Sequence, residues 1–141
     1  PDPETLRAVA TFLSAEVAPA GVEVVAAAPR YHTIRAEVGV LITPDANASE
    51  TVRRVMDRLT RYLHPLRGGE DSAGWPFGGP LRYPIALRLL TSVDGVRAVP
   101  RLNFVIDGFR IPACTDYRLA ADALFWPVGH QVIVIEPEEA R

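Results

Sequence analysis

Between two stretches of helical patterning lies the segment His64-Pro65-Leu66-Arg67-Gly68-Gly69-Glu70-Asp71-Ser72-Ala73-Gly74-Trp75-Pro76-Phe77-Gly78-Gly79, which limits the possible folds more than any other part of the chain. Its five glycines and two prolines give the backbone shapes that other residues resist, while Trp75 and Phe77 carry large apolar side chains that must dock somewhere. The loop is therefore expected to be held in place. All 15 basic residues of the chain are arginine, so no lysine completes a Gly-rich phosphate cradle here or elsewhere. That shifts weight from nucleotide chemistry to shape and contact.

At 141 residues, 48% of them hydrophobic, the chain has the length of one domain. A domain of this size hides roughly two-thirds of its unfolded surface. A net charge of −2 argues against a protein whose main task is to neutralise a phosphate backbone. A single cysteine, Cys114, forms no internal disulfide and no multi-cysteine metal site. The chain contains no apolar run long enough for a membrane span and no signal-peptide pattern. Opening on Pro1-Asp2-Pro3 without a Met, it is expected to be a domain of a longer protein.

Asp2 ahead of Pro3 and Glu4 is the pattern of a helix start, and Leu6, Val9, Ala10, Leu13 and Val17 then share one helical face until Pro19-Ala20-Gly21. Val22 to Val25 is a short strand candidate. Ile34, Ala36, Val38, Val40 and Ile42 alternate with Arg35, Glu37 and Thr43 in the clearest half-buried strand of the sequence. Asn47 with Glu50 three residues on resembles a capping box and opens a helix to about Leu63, with an expected buried stripe of Val52, Val55, Met56, Leu59 and Leu63. After the loop, Tyr83-Pro84 begins a shorter helix that stops at Asp94-Gly95. Leu102, Phe104 and Ile106 alternate up to Asp107-Gly108, a hairpin signal, with Phe109 to Ile111 returning. A looser stretch holds Leu119, Leu124, Phe125 and Trp126, and a last strand is expected at Val132 to Ile135.

The pattern predicts an α+β fold: a mostly antiparallel sheet with the two later helices on one face. Residues 1–21 form an accessory N-terminal helix, 22–136 the α+β domain and 137–141 a frayed tail. Alternation in the strand at 34–42 leaves one face of the sheet uncovered and available to partners.

In the order Val24-Val25, Pro29-Arg30-Tyr31, an alternating strand, Leu63-His64-Pro65, Gly68-Gly69, Gly74-Trp75-Pro76-Phe77-Gly78, Asp94-Gly95-Val96 and Gly129-His130, the chain resembles the C-terminal region of baseplate J-like proteins. Those are wedge components of contractile phage tails and of tail-derived injection systems. The likeness runs from about Val22 to Ile135, and Gly-Trp-Pro-Phe-Gly is its most specific part. One residue departs from the pattern: the family commonly has Arg after the second glycine, where this chain has Gly79. The resemblance implies a non-enzymatic structural role, with wedge subunits and copies of itself as partners. It also implies assembly in the cytoplasm into a virion-like or extracellular contractile particle. From charge, histidine spacing and hydropathy, no cofactor, metal, nucleic acid or membrane insertion is expected.

Candidate contact residues are Gly68, Gly69, Gly74, Trp75, Pro76, Phe77 and Gly78, together with the uncovered sheet face and the hairpin at Asp107-Gly108. The loop aromatics either anchor a neighbouring subunit or plug this domain's own core. Arg53, Arg54, Arg58 and Arg61 have Glu50 and Asp57 at helical pairing distance, which describes a solvated helix face rather than a nucleic-acid stripe. His32, His64 and His130 sit in three different elements without metal-ligand spacing. Cys114 with Asp116 and His130 is the one nucleophile-like set, against the ordinary fate of a lone Cys as a small buried thiol. The other readings are thus a small cysteine-dependent enzyme using Cys114 and His130, or a ligand-binding module with its pocket under the glycine loop.

Overall fold

The computed structural model describes residues 1–136, and the expected frayed tail at 137–141 lies outside the described residues. The chain divides into two compact units, one of residues Pro1–Arg30 and one beginning at Tyr31. In the first, α1 runs from Pro3 to Glu16, and the Asp2 carboxylate accepts the Thr5 backbone N–H at 2.8 Å, as the sequence predicts. No residue of α1 is buried. The expected strand at Val22–Val25 does not form: this stretch joins no sheet, and Val22 and Val25 are exposed. Apolar β-branched residues make a strand only where a neighbour pairs with them.

The second unit is α+β. Strand β1 (Arg30–Ile42) is followed by α2 (Ala48–Tyr62), β2 (Pro80–Leu81), α3 (Tyr83–Thr91), β3 (Val96–Ile106), β4 (Phe109–Arg110), β5 (Tyr117–Arg118), β6 (Ala123–Pro127) and β7 (Gln131–Val134). The main sheet has the order β4-β3-β1-β6, with β7 also on β1, and β2 pairs β5 in a separate ribbon. Antiparallel β1 and β3 put Ile34 opposite Ile106, Ala36 opposite Phe104 and Val38 opposite Leu102, whereas β7 runs parallel to β1. The hairpin after β3 turns through Asp107 and Gly108, both at positive φ, as a two-residue turn between twisted strands requires.

Residues 123–127, read from sequence as a looser stretch, are strand β6. Ala123, Leu124 and Phe125 are all buried, so the segment shows no alternation to read. The helices lie on the face of Ile34, Ala36, Val38 and Val40, where Val55, Leu59, Ala86, Leu90 and Phe125 complete the core. On α2 the buried line is Thr51, Val55, Leu59 and Tyr62, with Leu63 at its C-cap; Met56, expected inside, is exposed, and Val52 is half-buried. The turn at Gly95 packs closely on this line, and a Cβ there would come within 2.6 Å of Thr51 Oγ1. Gly95 and Thr51 fit together only while one of them lacks a side chain at that point.

Candidate functional site

The glycine loop leaves α2 and closes on itself through its backbone. Gly68 N–H donates to His64 O and Gly69 N–H to Tyr62 O, both at 2.8 Å, while Gly74 N–H donates to Gly68 O and Trp75 N–H to Pro65 O. Farther on, Gly78 N–H reaches the carbonyl of Ala123 at the start of β6. Gly68 is required by approach rather than by φ, since a Cβ would lie 2.2 Å from Tyr62 O. Each of these bonds offsets part of the entropy that ordering the loop backbone costs.

Trp75 is only 6% exposed. Its indole packs edge-on against Tyr62 at 5.2 Å and Phe125 at 5.4 Å, so it plugs this domain's own core rather than waiting for a neighbour. Burial holds the Tyr62 phenol pushed up to about 12, the Glu70 carboxylate adding to the effect. Two residues on, Phe77 is 60% exposed. Pro76 joins the two through a trans peptide, and Gly79 lies tight against it: a Cβ there would fall 2.6 Å from Pro76 Cγ and 2.8 Å from its carbonyl oxygen. An arginine has no room at this position unless the Trp-Pro-Phe turn moves.

A cavity of about 260 Å³ lies beside the loop, lined by Gly69, Trp75, Pro76 and Arg82, with Arg82 bridged to Glu70 at 3.3 Å. Sites for small organic ligands usually exceed roughly 300 Å³. A larger one, about 360 Å³, opens on the uncovered face of the sheet among Glu37, Arg101, Asn103, Arg110, Gln131 and Ile133. There Glu37 accepts from Arg110 at 2.6 Å and from Arg35 at 3.2 Å. At the end of β1, Tyr31 meets Trp126 edge-on at 5.6 Å, and both rings are about half exposed.

The other expected sites come apart. Cys114 is exposed in a turn at positive φ, not buried as a lone thiol ordinarily is. His130 is buried; its Nδ1 accepts the Ala36 backbone N–H at 3.1 Å and its Nε2 has no hydrogen-bond partner, so no hydrogen bond joins it to Cys114. Burial lowers the His130 pKa and keeps the ring neutral. Asp116 instead accepts the Tyr83 N–H at 2.8 Å and caps α3 from a distant loop, a role no local pattern reveals. His64 Nδ1 accepts from Leu66 N–H, and His32 shares a hydrogen bond with Asp107, which together with Thr33 holds that carboxyl below its ordinary range. Among the described residues no group of His, Cys, Asp or Glu could hold a metal ion.

On α2, Glu50 pairs with Arg54 at 2.6 Å and Asp57 with Arg53 at 3.5 Å; Arg54 also reaches Asp94. Exposed pairs of this kind contribute about 0.3–0.5 kcal/mol each. Among the ion pairs of the described residues, Asp57 pairs with Arg53 and not with Arg61, its expected partner on the other side. Among the described residues no helix is long and apolar enough to cross a membrane. No family model matches the chain, and no curated protein matches it in sequence.

Proposed function

We propose that this chain is a structural assembly domain of a contractile tail-like baseplate, similar in role to the C-terminal region of baseplate J-like wedge proteins and acting through protein contacts without a cofactor. The observation that carries this reading is the division of labour in the Trp75-Pro76-Phe77 turn. Trp75 is locked into the core while Phe77 stands in solvent on the same short, backbone-bonded loop. An exposed aromatic on a rigid mount meets a partner at little entropic cost. The baseplate setting itself comes from the sequence resemblance, with its assembly in the cytoplasm and wedge subunits as partners.

Neither other reading gains a specific observation. A cysteine enzyme needs a base beside Cys114, and His130 is committed to the Ala36 amide. The test is co-expression of the full-length parent with its neighbouring genes, followed by purification and imaging of particles. Phe77→Ala is expected to melt like the wild type yet enter particles poorly. Absence of any higher assembly with the wild-type parent sinks the reading.

A further inference from the structure

The uncovered face of the sheet carries a cluster whose charge is opposite to that of the chain. In register across the strands, Glu37 lies between Asn103 of β3 and Gln131 of β7, and Gly39 lies between Arg101 and Ile133. Val105 sits between Arg35 and Arg110. Gly39 makes this layout possible, since a Cβ there would come within 3.2 Å of Arg101 Cβ and 3.4 Å of Ile135 Cδ1. Three guanidinium groups, Arg35, Arg101 and Arg110, thus surround one carboxylate, Glu37, a local surplus of two positive charges on a chain whose net charge is −2. Both oxygens of Glu37 are engaged by Arg35 and Arg110. Arg101 makes no ion pair among the described residues, and Arg35 Nε is buried without a hydrogen-bond partner.

Alternation along β1 puts Tyr31 on the same face as Arg35 and Glu37, with Trp126 beside it. Six residues of strand separate Tyr31 from Glu37, roughly 20 Å at 3.3 Å per residue. The face therefore offers an aromatic ledge, a basic centre and two side-chain amides in one line. Arginine forks match carboxylates, and Asn103 and Gln131 can both donate to and accept from peptide groups.

We propose that this face docks an extended acidic segment of a partner protein, its carboxylates on Arg101 and Arg110 and an apolar side chain on the Tyr31–Trp126 pair. This rests on the assembly reading and gives its partner a chemistry. A nucleic-acid strand fits worse, because it repeats a charge at every unit and needs a continuous basic track, whereas Glu37 puts a negative charge in the middle of this one.

The experiment is fluorescence anisotropy with three labelled probes: a polyglutamate peptide ending in phenylalanine, its polyglutamine counterpart, and an oligothymidylate. The glutamate peptide is expected to bind at least about tenfold more tightly than the glutamine peptide, and Arg101→Glu to remove that preference. Arg53→Glu on α2 is the control and should change nothing. Trp126→Ala should weaken the peptide in proportion to the loss of its apolar anchor. Arg101→Ser repeats the test with a neutral residue should the charge reversal impair folding, which melting curves report. Equal binding of the two peptides, indifference of a folded Arg101→Glu or Arg101→Ser protein, or tighter binding of oligothymidylate overturns the proposal. Failure of the assembly reading looks different: the wild-type parent forms no particle. Particles that incorporate Arg101→Glu as well as wild type overturn the docking proposal alone.

Discussion

Along β1, Ile34, Ala36, Val38 and Val40 point to one side of the sheet and Arg35, Glu37 and Gly39 to the other. The first set is sealed under α2, α3 and the Trp75 loop; the second is a ring of hydrogen-bonded charge around an open cavity. The two faces share a backbone and a register, yet they divide the work of the domain. One supplies burial, worth roughly 1.5–3 kcal/mol per large apolar side chain. On the other, Glu37 is largely shielded between Arg35 and Arg110, while Arg101, exposed and outside any ion pair among the described residues, is free to be shaped by contact. Substitutions on the two faces should therefore separate cleanly into folding defects and binding defects.

The largest effect expected is that of Trp75→Ala, which removes an indole packed between Tyr62 and Phe125 and should cost about 3–5 kcal/mol in denaturant unfolding. A loss below about 1 kcal/mol there would place the loop with the contact surface instead. Next comes Gly79→Arg, which puts a side chain into the Trp-Pro-Phe turn. Its Cβ collides with Pro76, and the expected cost is about 1–3 kcal/mol by the same unfolding measurement.

Acid should act on the core face before the charged one. The folded-state pKa of His130 is depressed, so the unfolded chain takes up its proton first. Its contribution is complete above the ordinary histidine pKa of about 6.5 and is lost as pH falls through the lower folded value. Asp107, also depressed, acts in the same direction at lower pH, below the ordinary carboxylate range. Melting temperature followed downward from neutral pH should fall, and His130→Gln should flatten the first part of that slope. The smallest effect is expected from Phe77→Ala and Arg101→Glu, each within about 0.5 kcal/mol of wild type in stability. A larger drop for either one would mean that the outer surface also carries the fold.

Much of this was legible because the signals were local. Asp2 and Asn47 announced two helices by the hydrogen bonds they make within three residues, and the 34–42 alternation and the Asp107-Gly108 turn gave the central strand and its hairpin. What depended on distant partners was not. Thr51 and Tyr62 replaced Met56 on the buried side of α2 because the Gly95 turn and the Trp75 ring press there. β6 hid in a run buried throughout, and Val22–Val25 looked like a strand but had nothing to pair with. Of the site, the composition of the loop signalled a held segment, but the choice between plug and anchor turned on Tyr62 and Phe125, which no spacing rule connects to Trp75. The basic cluster could not be seen at all until β3, β4 and β7 were laid in register beside β1.

That register also governs how the chain comes to be folded. The central strand precedes the residues that complete it by a long stretch of chain: His32 is 75 positions from Asp107, and Ala36 is 94 from His130. Closing loops of that length slows folding, and a nascent β1 meanwhile presents both edges to the cell. Only once β6 and β7 have been made can the second edge be covered. The alternation of arginine and glutamate along β1 then serves twice, as charged side chains discourage an unfinished strand from pairing with its copies.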